Sequence, residues 1–173
     1  MITVISGTNR PDSNSSHVAR QYVQCFEEQG REALYFSLES LPESFYCLSS
    51  YGAPNKSFEQ VFHDYIEPSS HFVFVVPEYN GSFPGVLKHF LDLGRPEVWK
   101  GKKAALAGVA SGRAGNLRGM DHLTAVLHYL KVVVYHSPVV LSSIHMHLDP
   151  EANTLKPEYR SSIEQQSREF TAF

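Results

Sequence analysis

The sequence predicts a doubly wound α/β fold, a five-stranded parallel sheet in the order 2-1-3-4-5 with helices on both faces. Two observations predict it. Short apolar runs, several of them rich in β-branched residues, alternate with segments whose apolar residues recur at helical spacing, the pattern of strand, right-handed crossover helix and next parallel strand. Three polar loops containing glycine or proline follow the first, third and fourth runs. The topology therefore gathers them at one edge, outside the carboxyl ends of the strands, where such sheets take their ligands.

Residues 2–6 are apolar and β-branched from almost the first position, which suits a buried central strand. After a polar loop, Val18, Tyr22, Cys25 and Phe26 fall on one helical face, and Gly30 ends the pattern. Residues 33–36 form the second strand, and 37–56, with prolines, serines and glycine but no period, a long connection. Phe58, Val61, Phe62, Tyr65 and Ile66 repeat the helical face, and Pro68 closes it ahead of the third strand at 72–76. A loop at 77–84, a short helix at 86–93, a fourth strand at 104–110 and a loop at 111–116 repeat the unit. Met120, Leu123, Leu127 and Leu130 mark the next helix, 132–141 the fifth strand, and the polar tail from 157 a last helix.

The length of 173 residues suits one domain spanning 1–173, and 42% hydrophobic residues is ordinary for a soluble fold. No apolar run approaches membrane-span length, and the first residues carry neither a basic segment nor a signal-peptide core, so cytoplasm is the expected location. Cys25 and Cys47 have no metal-ligand spacing and read as structural thiols. A net charge of −3 without a basic stripe argues against nucleic acid or anionic membrane and for a small-molecule ligand. His145 and His147 lack a third ligand nearby, so no metal is expected.

The first loop joins a buried strand to a helix N-terminus, whose free N–H groups and dipole favour an anion. Hydroxyls of Thr8, Ser13, Ser15 and Ser16, amides of Asn9 and Asn14 and the Arg10 guanidinium surround that position. The loop lacks a P-loop lysine and the GxGxxG of a dinucleotide fold, so a monophosphate fits it best. The same residue types also serve as ordinary turn and N-cap residues. The second loop, from Pro77 through Glu78, Tyr79, Asn80 and Gly81 to Gly85, has two prolines and glycines that fix its backbone. Fixed amides and an aromatic such as Tyr79 suit the edge and face of a flavin ring, although Tyr79 and Phe83 also read as plugs for the sheet edge. Ser111, Gly112 and Arg113 open a third, small-residue approach to that edge, equally consistent with a plain strand-to-helix turn.

The first loop together with PEYNGSFPGVLKHFLD at 77–92 resembles the NADPH-dependent FMN reductase family, which includes flavodoxin-like quinone, azo-dye and chromate reductases. The resemblance covers residues 1 to about 140 and implies a flavodoxin-like fold. It implies bound FMN, with NADPH or NADH as co-substrate, hydride passing through flavin N5 to a second acceptor, and no catalytic side chain. By the same resemblance Thr8, Arg10, Ser15 and Ser16 hold the FMN phosphate, 77–81 line the isoalloxazine and ribityl, and Ser111 with Gly112 close the far side. Arg113 is expected to meet the nucleotide's phosphates, and a homodimer or homotetramer is expected. His89 stands where the family has Asn, Thr8 where Ser is common, and Leu130-Lys131 where Leu-Gly precedes the fifth strand. A one-electron carrier of the flavodoxin kind is the rival reading, as is a non-enzymatic binding module on the same fold.

Overall fold

A computed structural model describes residues 1–47, 56–149 and 151–173, with the backbone alone for Ser57. The elements run β1 (Ile2–Ser6), α1 (Asn14–Glu28), β2 (Ala33–Ser37), α2 (Lys56–Val61), β3 (His71–Pro77), α3 (Gly85–Leu93) and α4 (Pro96–Trp99). They continue with β4 (Lys103–Val109), α5 (Leu117–Tyr129), β5 (Val133–Val134), β6 (Val139–Leu141), β7 (Leu148–Asp149), β8 (Thr154–Leu155) and α6 (Pro157–Ala172). The main sheet has the order β2-β1-β3-β4-β5, and every pair in it is parallel. β1 is flanked on both sides, Val4 standing opposite Tyr35 and Val73, and all five of its residues are buried.

The strands are apolar on both faces because each face carries a core. Phe72, Phe74 and Val76 of β3 point one way, with Leu87 and Phe90 of α3, Trp99 of α4 and Leu123 and Leu127 of α5. Val73 and Val75 point the other way, with Val18, Tyr22, Cys25 and Phe26 of α1 and Ile163 and Phe170 of α6. The period of two within a strand separates these sets, and the helical period collects the partners of each.

The expected fifth strand at 132–141 is two short strands. β5 pairs with β4 at Val133↔Lys103, and β6 with the same strand further on, at Val139↔Ala107. Pro138, which has no N–H to give the ladder, stands directly before β6. The Ser137 carbonyl is taken instead by the amide of Gln166 on α6, at 2.7 Å. The helix expected from Phe58 to Ile66 begins as α2 and ends as a π turn, Phe62–Ile66. The Lys102 ammonium closes it, donating to the carbonyls of Ile66 and, at 2.7 Å, Ser69. Burial lowers that ammonium's pKa.

The long connection expected at 37–56 contains two 3-10 turns, Leu38–Ser40 and Glu43–Cys47, and its remainder at 48–55 lies outside the described residues. His89, at the position expected to be Asn, donates from Nε2 to the Phe45 carbonyl at 3.1 Å, fastening the second turn to α3. α4 and the β7–β8 hairpin were not expected from the sequence, whereas the C-terminal helix was.

Candidate functional site

The first loop leaves the carboxyl end of β1, where the Gly7 N–H donates to the Val75 carbonyl at 2.9 Å and keeps the chain against β3. Thr8 is fully buried; its Oγ1 lies 2.9 Å from the Tyr79 hydroxyl and accepts the Arg10 N–H at 3.3 Å. Ser13 caps α1, its Oγ accepting the Ser16 N–H at 3.1 Å. Ser15, in the first turn of this 15-residue helix, has a hydroxyl shut away from solvent with no partner among the described residues. A buried hydroxyl left unpaired is costly. Its position at a helix N-terminus matches an anion supplied from outside the chain.

The second loop is fixed at both ends. The Glu78 N–H donates to the Val109 carbonyl at 3.1 Å, and Tyr79 and Ser82 exchange backbone hydrogen bonds at 2.9 and 3.1 Å. Between them Asn80 and Gly81 both have positive φ, 52° and 76°, the type I′ turn for which Asn-Gly is the preferred pair. The turn leans on α5: Ser82 Oγ lies 2.9 Å from His122 Nδ1. A Cβ on Gly81 would stand 3.8 Å from the Arg118 guanidinium.

The third loop lies close against β4. A side chain at Gly108 would meet the Gly115 carbonyl at 2.1 Å, so only glycine lets the loop pass. Asn116, fully buried and left-handed at φ 66°, begins α5 and donates from Nδ2 to the Val76 carbonyl at 2.9 Å. The chain after β6 returns to this loop, Ser143 N–H donating to the Gly112 carbonyl at 3.0 Å and Ile144 N–H to Ala110 at 3.1 Å.

These loops enclose a cleft of about 250 Å³. Of the residues expected at the site, Arg10, Ser13, Ser15, Pro77, Glu78, Tyr79 and Ser111 line it. Thr8 and Ser16 are buried in the first loop and the first turn of α1. The Asn9 amide donates to the Tyr46 hydroxyl at 2.7 Å. Asn80 and Gly81 turn toward α5, and Gly112 and Arg113 are exposed outside the lining. The lining also includes Asn14, whose amide was expected near the anion, and Asp12, Val109, Ala110 and Ile144, which were not among the expected site residues. Asp12 adjoins the loop residues that were. Ile144 reaches the cleft only because the chain after β6 folds back, and no local pattern announces it. Arg10 is the cation of the lining and Asp12 and Glu78 its acids, so neutral hydroxyls and backbone amides supply most of its donors.

Among the described residues no group of three or more His, Cys, Asp or Glu could hold a metal. His147 Nδ1 lies 3.0 Å from a Glu158 carboxylate oxygen. No helix among the described residues is long and apolar enough to cross a membrane.

Comparison with known proteins gives a match over residues 1–146 to the family described as NADPH-dependent FMN reductase. An NAD(P)H-dependent FMN reductase of Pseudomonas aeruginosa is 36% identical over 109 residues, covering 61% of this chain and 59% of that protein. A 2-hydroxy-1,4-benzoquinone reductase of a Burkholderia species is 32% identical over 110 residues, covering 61% of this chain and 60% of its own length. The chain thus spans about 60% of the length of the curated relatives it matches. FerB, a flavoenzyme NAD(P)H:acceptor oxidoreductase of Paracoccus denitrificans, superposes over 99% of this chain and 94% of its own. Its TM-score is 0.77 at 22% identity, a likeness of fold. With the strand order, the three loops at one sheet edge and a family match over residues 1–146, the chain belongs to the NADPH-dependent FMN reductase family.

Proposed function

We propose that the chain is one domain, residues 1–173, that binds FMN in this cleft and passes reducing equivalents from NADPH or NADH to a small acceptor such as a quinone, free flavin or azo compound. The observation that carries the reading is the Ser15 hydroxyl, buried and without a partner among the described residues at the N-terminus of α1, on the wall of a cleft that also holds Arg10. A terminal phosphate supplies acceptor oxygens for this hydroxyl and for the Arg10 guanidinium at the positive end of the α1 dipole. Thr8, Asn9, Ser13 and Ser16 complete the phosphate loop. The hydroxyl contact from Thr8 to Tyr79 joins that loop to the second, so phosphate end and ring end are held in one frame.

The fixed backbone of Pro77, Glu78, Tyr79, Asn80 and Gly81 orients the ring and ribityl, and Ser111, Gly112 and Arg113 bound the far side. The apolar Val109, Ala110 and Ile144 exclude water beneath. Bound FMN supplies two-electron hydride chemistry, and the protein supplies position and electrostatics. The names of the Pseudomonas and Burkholderia relatives, an FMN reductase and a benzoquinone reductase, support this activity and acceptor class. A cytoplasmic site of action accords with it. Exposed Leu117, Tyr129 and Val133 on α5 and β5 support a homodimer or homotetramer, which light scattering on a sizing column tests.

The purified protein is incubated with FMN and desalted, its visible spectrum is recorded, and NADPH and NADH are then added anaerobically. Retained flavin that bleaches is the expected result. Retained flavin that bleaches only on photoreduction would make the protein a flavodoxin-type carrier. Loss of all flavin on desalting would overturn the reading.

A further inference from the structure

We propose that Tyr159, on α6 and outside the cleft, is a positioning residue for its third wall, acting through Ser142 on Ile144 and the loop at 111–113. The inference rests on the FMN reading and concerns a part of the chain beyond the 1–146 family match.

Ile144 is 1% exposed and lines the cleft. It opens a 3-10 turn that follows Ser143, which is left-handed at φ 46°. A serine keeps that conformation only where its surroundings hold it there. Two backbone bonds hold it on the cleft side, from Ser143 to Gly112 at 3.0 Å and from Ile144 to Ala110 at 3.1 Å. The start of α6 holds it on the other. The Tyr159 hydroxyl donates to the Ser142 carbonyl at 2.6 Å and lies 3.2 Å from Ser142 Oγ. Its ring packs on His147 at 4.3 Å between centroids, and the Lys156 N–H donates to the His147 carbonyl at 2.9 Å.

The strained turn is therefore clamped between the third loop and the first turn of α6, and the Tyr159 hydroxyl is the side-chain hydrogen bond that grips the residue preceding Ser143. Removing that hydroxyl frees the Ser142 carbonyl, lets the turn relax, and shifts Ile144 together with the loop bonded to it. The consequence is a changed flavin environment without loss of any group that touches the cofactor.

The test titrates FMN into wild type, Tyr159→Phe and Ser142→Ala by quenching of flavin fluorescence, and records the visible band of the bound flavin. Tyr159→Phe keeps the ring against His147. It is expected to weaken FMN binding between about twofold and tenfold, the range one net hydrogen bond spans, and to shift the bound-flavin band. Ser142→Ala keeps the carbonyl that Tyr159 grips and stays close to wild type in both. A purely structural role for Tyr159 would lower the melting temperature of the apoprotein and leave affinity and band unmoved, overturning the inference.

Ile144→Val, a one-methyl change on the wall itself, is expected to shift the same band, and no shift there would overturn the inference even if Tyr159→Phe did not fold. Failure of wild type to bind FMN would overturn the cofactor reading and this inference with it. Wild-type binding with an unchanged Tyr159→Phe would overturn this inference alone.

Discussion

Ser15 and Lys131 each hold a position that their residue type does not favour in the isolated chain. The buried Ser15 hydroxyl has no partner among the described residues, so its removal takes away a desolvated group and breaks none of the described hydrogen bonds. Ser15→Ala is expected to leave the thermal stability of the apoprotein unchanged or slightly raised while weakening FMN binding by about tenfold, the worth of one charge-assisted hydrogen bond. Calorimetry of the apoprotein and a flavin titration read the two effects separately, and a Ser15→Ala protein of wild-type affinity would remove the phosphate role. Lys131 stands where the family motif has glycine, and its φ of 62° shows why glycine belongs there. An L-residue pays about 1–2 kcal/mol in that region, whereas glycine pays less there but more chain entropy. Lys131→Gly is expected to stabilise the protein by about 0.5–1 kcal/mol, measured by urea unfolding. The Gly101 N–H already donates to the Lys131 carbonyl at 2.9 Å, and a glycine keeps that bond.

Between elements, the attachment of α6 is the least visible part of the fold in the sequence. The central strands were legible because fully buried parallel strands read as apolar runs, and α1 because Val18, Tyr22, Cys25 and Phe26 all fall on one face that the structure buries. Pro138, inside the stretch expected as one fifth strand, is the sequence feature that marks the break between β5 and β6. β7 and β8 have two residues each, too few for any period to register. At the site, the polar loops after β1, β3 and β4 were legible from composition and topology together, and the Asn80-Gly81 pair carried the turn signal. Ile144 was not, since its role depends on the return of the chain after β6. What ties α6 down is a polar residue among apolar ones: Gln166 accepts from the Tyr22 hydroxyl at 2.6 Å and donates to the carbonyls of Ser137 at 2.7 Å and Leu106 at 3.1 Å. One side chain joins α1, β4, α6 and the segment between β5 and β6. Gln166→Leu leaves the Tyr22 hydroxyl and two carbonyls without their partner in a buried setting, so it is expected to cost about 2–4 kcal/mol in urea unfolding despite its added hydrophobicity. A cost under about 0.5 kcal/mol would mean that water takes over those bonds.

At the scale of the whole molecule, two cores share one sheet, and the one beneath α1 and α6 contains two groups that resist ionisation. Burial pushes the Cys25 thiol from its usual 9.0 up to about 11 and the Tyr22 hydroxyl well above 10.0. The folded state therefore holds these protons more tightly than the unfolded chain does. Their contribution to stability is complete below the unfolded pKa and is lost as pH rises through the folded value. For Cys25 the loss runs from about pH 9 to about pH 11. Cys47 is exposed and takes no part in that core. Two measurements follow from the contrast. In the native protein at pH 8, a thiol reagent is expected to modify Cys47 quickly and Cys25 only after denaturant is added. Urea unfolding from pH 8 to pH 11 is expected to show the stability advantage of wild type over Cys25→Ala shrinking through that window, because alanine has no proton to lose. A difference between the two proteins that stayed constant to pH 11 would mean that the thiol ionises equally in the folded and unfolded chain, and that the core beneath α1 admits water at Cys25.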